Sequence, residues 1–399
     1  MWKRNLYILC VTQFLVLGAM SLIIPFLPLY IQELGITSEK EVTVWSGVVF
    51  GVNFLSAFIF SPIWGNLADK YGRKIMLLRS GYGMAIVVAL TGFAANVWQL
   101  ALLRLLNGVV SGFIPASIAL TATNTPKEKT GYALGLLQSG AVAGSIMGPF
   151  FGGLLAEWIG YRAVFWVTGA LIFVAAVVVT FFVVEEKKPN PKDQVSTGSF
   201  FGDFKFILKT EPLLSLFVAG FLVQFAMLNP MPILPLFIQQ LQSSGEYIAF
   251  FSGLVAAVTG LANMIASPTL GKWGDKRGSE KVLFYSLLGA SLMFIPQALV
   301  TSVGQLIIFR FLLGLCIGGL LPSVNSLIHR YSPKGMESRT YGYSNSAIFL
   351  GNMSGPIFGG LVGGWIGLRA VFWITAVFLL INAIWIKYLM RTSMKKEMS

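Results

Sequence analysis

Charge is scarce in this chain. Only 11% of its 399 residues are Asp, Glu, Lys or Arg, against about 25% in an ordinary soluble domain. Cysteine occurs twice, at Cys10 and Cys316, and histidine once, at His329. Both cysteines fall inside apolar runs, where a thiol reads as a small buried hydrophobe. That excludes a disulfide-stapled secreted domain and leaves no metal-ligand spacing and no His/Cys catalytic pair. No metal, no cofactor and no enzymatic activity are expected. A Gly-rich lysine loop for nucleotide phosphates is also missing, and no polar stretch is long enough for an ATP-hydrolysing domain. The 16 acidic residues all lie at the edges of apolar runs or between them.

Apolar sequence is abundant instead. Hydrophobic residues make up 55% and aromatic residues 14%, and the mean hydropathy is +0.75. A single soluble core does not absorb that much apolar surface. Stretches of the roughly 20 residues a helix needs to cross a bilayer recur near 7–31, 44–64, 74–95, 98–122, 132–158, 161–184, 212–240, 247–271, 280–301, 304–328, 340–363 and 368–390. Twelve transmembrane helices are therefore expected, because in lipid every backbone donor needs an internal partner. The run from Tyr7 to Ile31 is too long for a signal peptide and reads as an uncleaved first span.

The formal net charge of +13 follows the membrane rather than nucleic acid. With the N-terminus placed inside, only Lys40, Arg162 and Arg369 fall in outer loops, and Arg104 and Arg310 fall within spans. The other Lys and Arg residues sit in inner segments, with residues 66–79 counted as one such loop. That bias orients a multi-pass membrane protein with both termini cytoplasmic, in contact with lipid.

The chain repeats itself. Pro25–Ile31 recurs as Pro232–Ile238, Gly65, Asp69 and Gly72 as Gly271, Asp275 and Gly278, and Gln99, Arg104 and Gly108 as Gln305, Arg310 and Gly314. Gly148-Pro149 returns as Gly355-Pro356, and Arg162 opens the same five residues as Arg369. The offset holds at 206 or 207 throughout. Two parallel six-helix bundles are expected, at 1–184 and 212–399. A cytoplasmic linker at 185–211 joins them, with a short interfacial helix around Phe200–Ile207.

Three motifs carry chemistry. Gly65-Asn-Leu-Ala-Asp69-Lys-Tyr-Gly72-Arg73-Lys74 reads as a tight loop with an acid among cations. Its glycines allow a sharp turn and close helix approach. Arg104 lies mid-span, where an unpaired cation costs at least about 2.5–3.5 kcal/mol, and Asn107 and Ser111 extend it into a polar stripe. Gly140, Gly144, Gly148 and Gly152, with Pro149, form a small-residue face that lets helix backbones approach. The repeat carries it again around Gly355 and Pro356. It suits a packing face and a seal that opens as the halves rock.

Together these motifs resemble the major facilitator superfamily over essentially the whole chain. They are similar to its twelve-span drug:proton antiporter branch, and within it to the PmrA-type and MdtG-type bacterial exporters. The resemblance implies an all-α membrane fold, twelve helices in two pseudo-symmetric bundles. It implies a proton-coupled exporter of amphiphilic drugs acting by alternating access, as a monomer. It departs from that pattern in lacking an acid within the first or fourth span. Asp69, with Arg73 and Arg104, is then the leading proton-coupling candidate, followed by Glu33 and His329. Gln13, Phe14, Asn53, Asn107, Gln138, Gln224, Met227 and Asn345 are the candidate substrate contacts, each also readable as interhelical glue. A cavity with an arginine and no carboxylate suits neutral, zwitterionic or weakly acidic amphiphiles, fluoroquinolones among them. An exporter of one metabolite, such as a sugar or amino acid, is the alternative. A receptor, a channel and a membrane enzyme lack the domain, the filter or the catalytic residues they need.

Overall fold

A computed structural model describes residues 2–185, 213–242, 246–333 and 337–397. The expected linker and its helix around Phe200–Ile207 lie outside the described residues. Among the described residues eleven helical segments, two of them interrupted (Val97–Asn124 and Val303–Tyr331), are long and apolar enough to cross a membrane, and a shorter apolar helix covers Leu213–Leu228. At most 50% of each spanning window is buried within the protein. Trp98, Trp158, Phe181 and Trp365 are each at least 70% exposed. Apolar surface of that extent belongs in lipid, and the protein is a multi-pass membrane protein.

The first half runs α1 (Trp2–Leu22), α2 (Leu27–Glu33), α3 (Glu39–Tyr71), α4 (Arg73–Thr91), α5 (Val97–Val110), α6 (Phe113–Asn124), α7 (Thr130–Ile159) and α8 (Tyr161–Phe182). The second runs α9 (Leu213–Leu228), α10 (Leu234–Leu241), α11 (Ile248–Arg277), α12 (Ser279–Leu299), α13 (Val303–Ile317), α14 (Leu320–Tyr331), α15 (Glu337–Trp365) and α16 (Leu368–Glu397). Four of the twelve expected spans are each two helices. The first breaks between α1 and α2 and the seventh between α9 and α10, at the Pro25/Pro28 and Pro230/Pro232/Pro235 clusters. Proline removes a backbone donor and crowds the preceding turn. The fourth breaks between α5 and α6 and the tenth between α13 and α14, at Gly112 and at Gly318-Gly319.

Contacts divide the chain into two compact units. Unit 1 is Met1–Ser38, Val52–Val195 and Gly245–Ala257, and unit 2 is Glu39–Gly51, Ser196–Ser244 and Val258–Ser399. The first turns of α3 and of α11 are therefore assigned apart from the rest of their helices.

The same pairings recur inside each unit. In unit 1, α1 packs on α7 and α8, and α4 packs on α8. In unit 2, α9 packs on α15 and α16, and α12 packs on α16. Capping repeats too. Asn96 accepts the Gln99 N–H at 3.0 Å while Gln99 Oε1 accepts the Ala95 N–H at 2.9 Å. Ser302 accepts the Gln305 N–H at 3.4 Å, and Gln305 Oε1 accepts the Thr301 N–H at 3.0 Å. Each reciprocal cap satisfies donors orphaned where α5 and α13 begin, and so fixes the start of the helix that carries Arg104 or Arg310.

Candidate functional site

The motif expected as a loop is mostly helix. α3 continues through Gly65 and Asp69 to Tyr71, Gly72 alone turns the chain at φ +100°, and α4 starts at Arg73. Apolar sequence and good helix formers run on through Tyr71, so a single left-handed glycine suffices as the break. Gly65 has no non-local atom within 4 Å of where a Cβ would stand among the described residues. The side chain of Asp69 lies outside what is described. In the second copy Asp275 is exposed near the end of α11, and Gly278 turns at φ +99°. Arg79, counted above as a loop cation, sits two turns inside α4.

Glu185 joins this corner unannounced. Its carboxylate accepts the backbone N–H groups of Arg73 at 2.9 Å and Lys74 at 3.1 Å. The Arg73 guanidinium donates to the Ala119 carbonyl at 3.4 Å, and the Lys74 ammonium to the Thr180 carbonyl at 2.9 Å. Asn5 and Asn124 both donate to the Val184 carbonyl, at 2.7 and 2.9 Å. The ends of α1, α4, α6 and α8 are thereby tied together within unit 1.

Arg104 is only 9% exposed, with its guanidinium 5.9 Å from the Phe165 ring. Its Nε and Nη2 are enclosed and have no hydrogen-bond partner among the described residues. The expected stripe is real in part. Asn107 donates to Asn53 Oδ1 at 2.8 Å, bringing those two candidates together, whereas the Ser111 hydroxyl turns back to the Gly108 carbonyl of its own helix at 2.7 Å. Gln13, on α1 in the same unit, is fully buried with both amide atoms unpartnered among the described residues, as is the Thr168 hydroxyl of α8. Buried polar atoms are nearly always hydrogen-bonded. A guanidinium and an amide left unmet in an apolar interior are equipped to take water or an acceptor group of a ligand.

The second unit matches the cation and not its surroundings. Arg310 is 7% exposed, its guanidinium is 5.9 Å from the Phe372 ring, and its Nε and Nη2 are likewise unpartnered among the described residues. Leu313 and Ile317 stand where Asn107 and Ser111 stand in the first repeat. Of the remaining candidates, Gln138 and Asn345 are exposed, whereas Phe14, Gln224 and Met227 are half-buried. Glu33 pairs with Arg162 at 3.0 Å, both side chains about two-fifths exposed.

The glycine face packs inside unit 1. A Cβ at Gly140, Gly144, Gly148 or Gly152 would collide with the carbonyl of Cys10, Phe14, Gly18 or Leu22 respectively. Both series step by four, so one row of glycines on α7 seats one row of carbonyls on α1. In unit 2, Gly351, Gly355 and Gly359 seat the carbonyls of Phe221, Phe225 and Asn229 in the same way. The neighbouring face of α7 carries Gly153 and Pro149, which meet Ala249 and Gly253 at the first turns of α11. There Glu157 accepts the Ala249 N–H at 2.9 Å. Pro149 and Pro356 lie inside unbroken helices α7 and α15.

Sequence reasoning missed Glu185, Glu157, Trp64 and Arg79. Glu185 carried no signal beyond lying just past a span, and Glu157 none beyond lying at the edge of one. Arg79 had one: it stands seven residues beyond Gly72, the only turn in the motif.

Comparison with known proteins matches residues 9–262 and 216–398 to the family model described as Major Facilitator Superfamily. The chain is 43% identical over 398 residues to Multidrug resistance protein MdtG of Proteus mirabilis (strain HI4320), covering 99% of this chain and 98% of that one. It is 44% identical over 385 residues to Multidrug resistance protein MdtG of Yersinia enterocolitica serotype O:8 / biotype 1B, covering 96% and 92%. Among solved structures it is similar to a bacterial homologue of the human lysosomal transporter Spinster, with TM-score 0.79, 17% identity, and 99% and 98% of the two chains covered. That last likeness concerns the fold alone.

Proposed function

The chain belongs to the major facilitator superfamily, and from that membership we propose that it is a secondary exporter of many amphiphilic drugs. The observation that carries the reading is identity to multidrug resistance proteins running through both repeats, over 99% of this chain. Two six-helix bundles, 1–184 and 212–399, rock about the linker at 185–211 to give alternating access. The protein works as a monomer in the inner membrane with both termini cytoplasmic, a placement supported by the distribution of its Lys and Arg residues.

Export is driven by the proton gradient, with Asp69 beside Arg73 as the first candidate carrier. Arg104 and Gln13 supply polar contacts in unit 1. Their unmet hydrogen-bond capacity supports a preference for neutral, zwitterionic or weakly acidic amphiphiles, including fluoroquinolone-like compounds. A carboxylate or carbonyl on the substrate meets donors that the protein leaves open.

The test is substrate-induced proton movement in proteoliposomes loaded with a pH-sensitive dye, with quinolones, cationic dyes and sugars as the panel. Responses to several unrelated amphiphiles, norfloxacin above ethidium, are expected. A response to one sugar or amino acid class alone would replace the reading with a metabolite exporter. Silence from folded protein would remove proton coupling and bring a sodium-driven assay forward.

A further inference from the structure

The fourth span is interrupted at Ser111-Gly112, directly beyond the turn that carries Arg104 and Asn107. α5 ends at Val110, Ser111 is extended at φ −62° and ψ 167°, and Gly112 is left-handed at φ +134°. The break strands carbonyls in an apolar setting where none can be left unmet. The Val109 carbonyl loses the N–H of residue 113. The Ser111 carbonyl falls outside both helices, because Ser111 is extended, and residue 115 is Pro115, which carries no N–H to offer it.

Two side chains from neighbouring helices supply what is missing. Trp64 of α3 donates its indole N–H to the Val109 carbonyl at 2.7 Å. Arg79 of α4 donates from Nη2 to the Ser111 carbonyl at 3.1 Å. The two donors stack on each other, with the Arg79 guanidinium carbon 3.6 Å from the Trp64 ring centroid, so each holds the other in place. Gly112 is required for its φ, and a Cβ there would stand 3.2 Å from Arg79 Nη2, so the guanidinium would have to give by a few tenths of an ångström. Among the described residues the second repeat shows no such device. Tyr285 occupies the position of Arg79 and stacks on Trp273 at 6.1 Å, and both glycines at that break, Gly318 and Gly319, keep right-handed helical conformations.

We infer that Arg79 and Trp64 form a two-point clamp on the broken fourth span, and that Arg79 is a positioning residue for transport. It fixes the direction in which α5 leaves the break, and with it where Arg104 and Asn107 point. Asn107 is already anchored to Asn53 of α3, the helix that carries Trp64. Asn107 and Val109, both before the break, are thus held by α3, while Arg79 of α4 holds Ser111 at the break itself. The inference rests on the export reading only for its transport half. Its structural half stands on the hydrogen bonds.

The experiment uses the full chain and separates the two halves. Hydrogen–deuterium exchange is measured on purified protein for peptides covering the break at 108–118 and its counterpart at 314–325. Arg79→Ala should raise exchange at 108–118 by at least about tenfold, the factor that loss of a hydrogen bond from a charged donor gives, and Trp64→Phe, which loses a neutral donor, by about fivefold. They should leave the counterpart unchanged. Arg79→Lys keeps a donor and should fall between. Unchanged exchange in Arg79→Ala overturns the clamp, whatever the transport data show.

In proteoliposomes Arg79→Ala should lower turnover more than it raises KM, with Arg79→Lys partly restoring it. Raised exchange with unaltered turnover overturns the positioning role and leaves only the clamp. If wild-type protein moves no compound of the panel, the export reading fails while the exchange result still decides the clamp.

Discussion

The carboxylate of Glu185 accepts the backbone N–H of Arg73 at 2.9 Å, and its second oxygen accepts that of Lys74 at 3.1 Å. The first amides of a helix lack intrahelical partners and carry the positive end of its dipole, so an anion there is doubly favourable. Glu185 lies far from α4 in sequence, and only the left-handed Gly72 leaves room for it. A Cβ at residue 72 would stand 2.9 Å from Glu185 Oε2. Glu185→Ala should therefore lower stability by about 1 kcal/mol, the usual worth of a helix cap, and Glu185→Gln by less, since an amide oxygen still accepts one N–H. Thermal unfolding of the detergent-solubilised protein reads the difference. Equal midpoints for wild type and Glu185→Ala would show that the cap contributes nothing.

The glycine row on α7 gives a sharper contrast. Gly148 seats the Gly18 carbonyl, whereas Gly135, on the same helix, has open space around its missing Cβ. Gly148→Ala forces α1 and α7 apart and should cost about 1–3 kcal/mol as overpacking. Gly135→Ala should be neutral or slightly stabilising, because alanine is the better helix former by about 1 kcal/mol. Folded yield and thermal midpoint check both. The reverse ranking would mean that the face is not packed as described.

How much of this could be read from the sequence differs by residue. The repeat was legible because Gly, Pro and Arg positions held one offset, and the structure returns the same helix pairings in each unit. The broken spans were not legible as breaks. A membrane helix is apolar all round, so a short non-helical link such as Ser111-Gly112 leaves no mark on hydropathy. Only the proline clusters at Pro25 and Pro232 carried a local signal, and they were read as a repeat. The signature motif was taken for a loop because it is polar, yet polarity at the end of a membrane helix marks the interface and does not end the helix. Arg79 was misplaced for the same reason. Glu185 was unreadable because its partner amides belong to another helix, and capping across helices leaves no spacing rule.

Asn53 and Asn107 were weighed as ligands or as glue between helices. Their side chains bond to each other at 2.8 Å, with Asn107 2% exposed. If the pair is glue, Asn53→Ala and Asn107→Ala should destabilise non-additively, with a coupling of about 0.6–1.7 kcal/mol, the range measured between membrane helices. Additive losses, together with a rise in KM for every substrate in the single variants, would instead make them direct contacts.

Arg104 and Arg310 provide an internal comparison, since each guanidinium lies 5.9 Å from an aromatic ring and leaves Nε and Nη2 unmet among the described residues. Their neighbours differ. Arg104 is followed on its helix by Asn107, and its unit holds the unpartnered amide of Gln13. Arg310 is followed by Leu313 and Ile317. Burying an unpaired cation is costly in both places, so relief of that cost should make either substitution tolerable to the fold. The consequences for transport should separate. Arg104→Gln removes a charge from a polar neighbourhood and should raise KM for weakly acidic and zwitterionic substrates by about tenfold, the worth of one charge-assisted hydrogen bond. It should leave neutral substrates within about twofold on the same argument. Arg310→Gln should change both classes alike. Dose–response curves for norfloxacin and a neutral analogue, measured side by side in the two variants, decide the matter. Discrimination by Arg310→Gln rather than Arg104→Gln would move the acid-recognising group to the second unit.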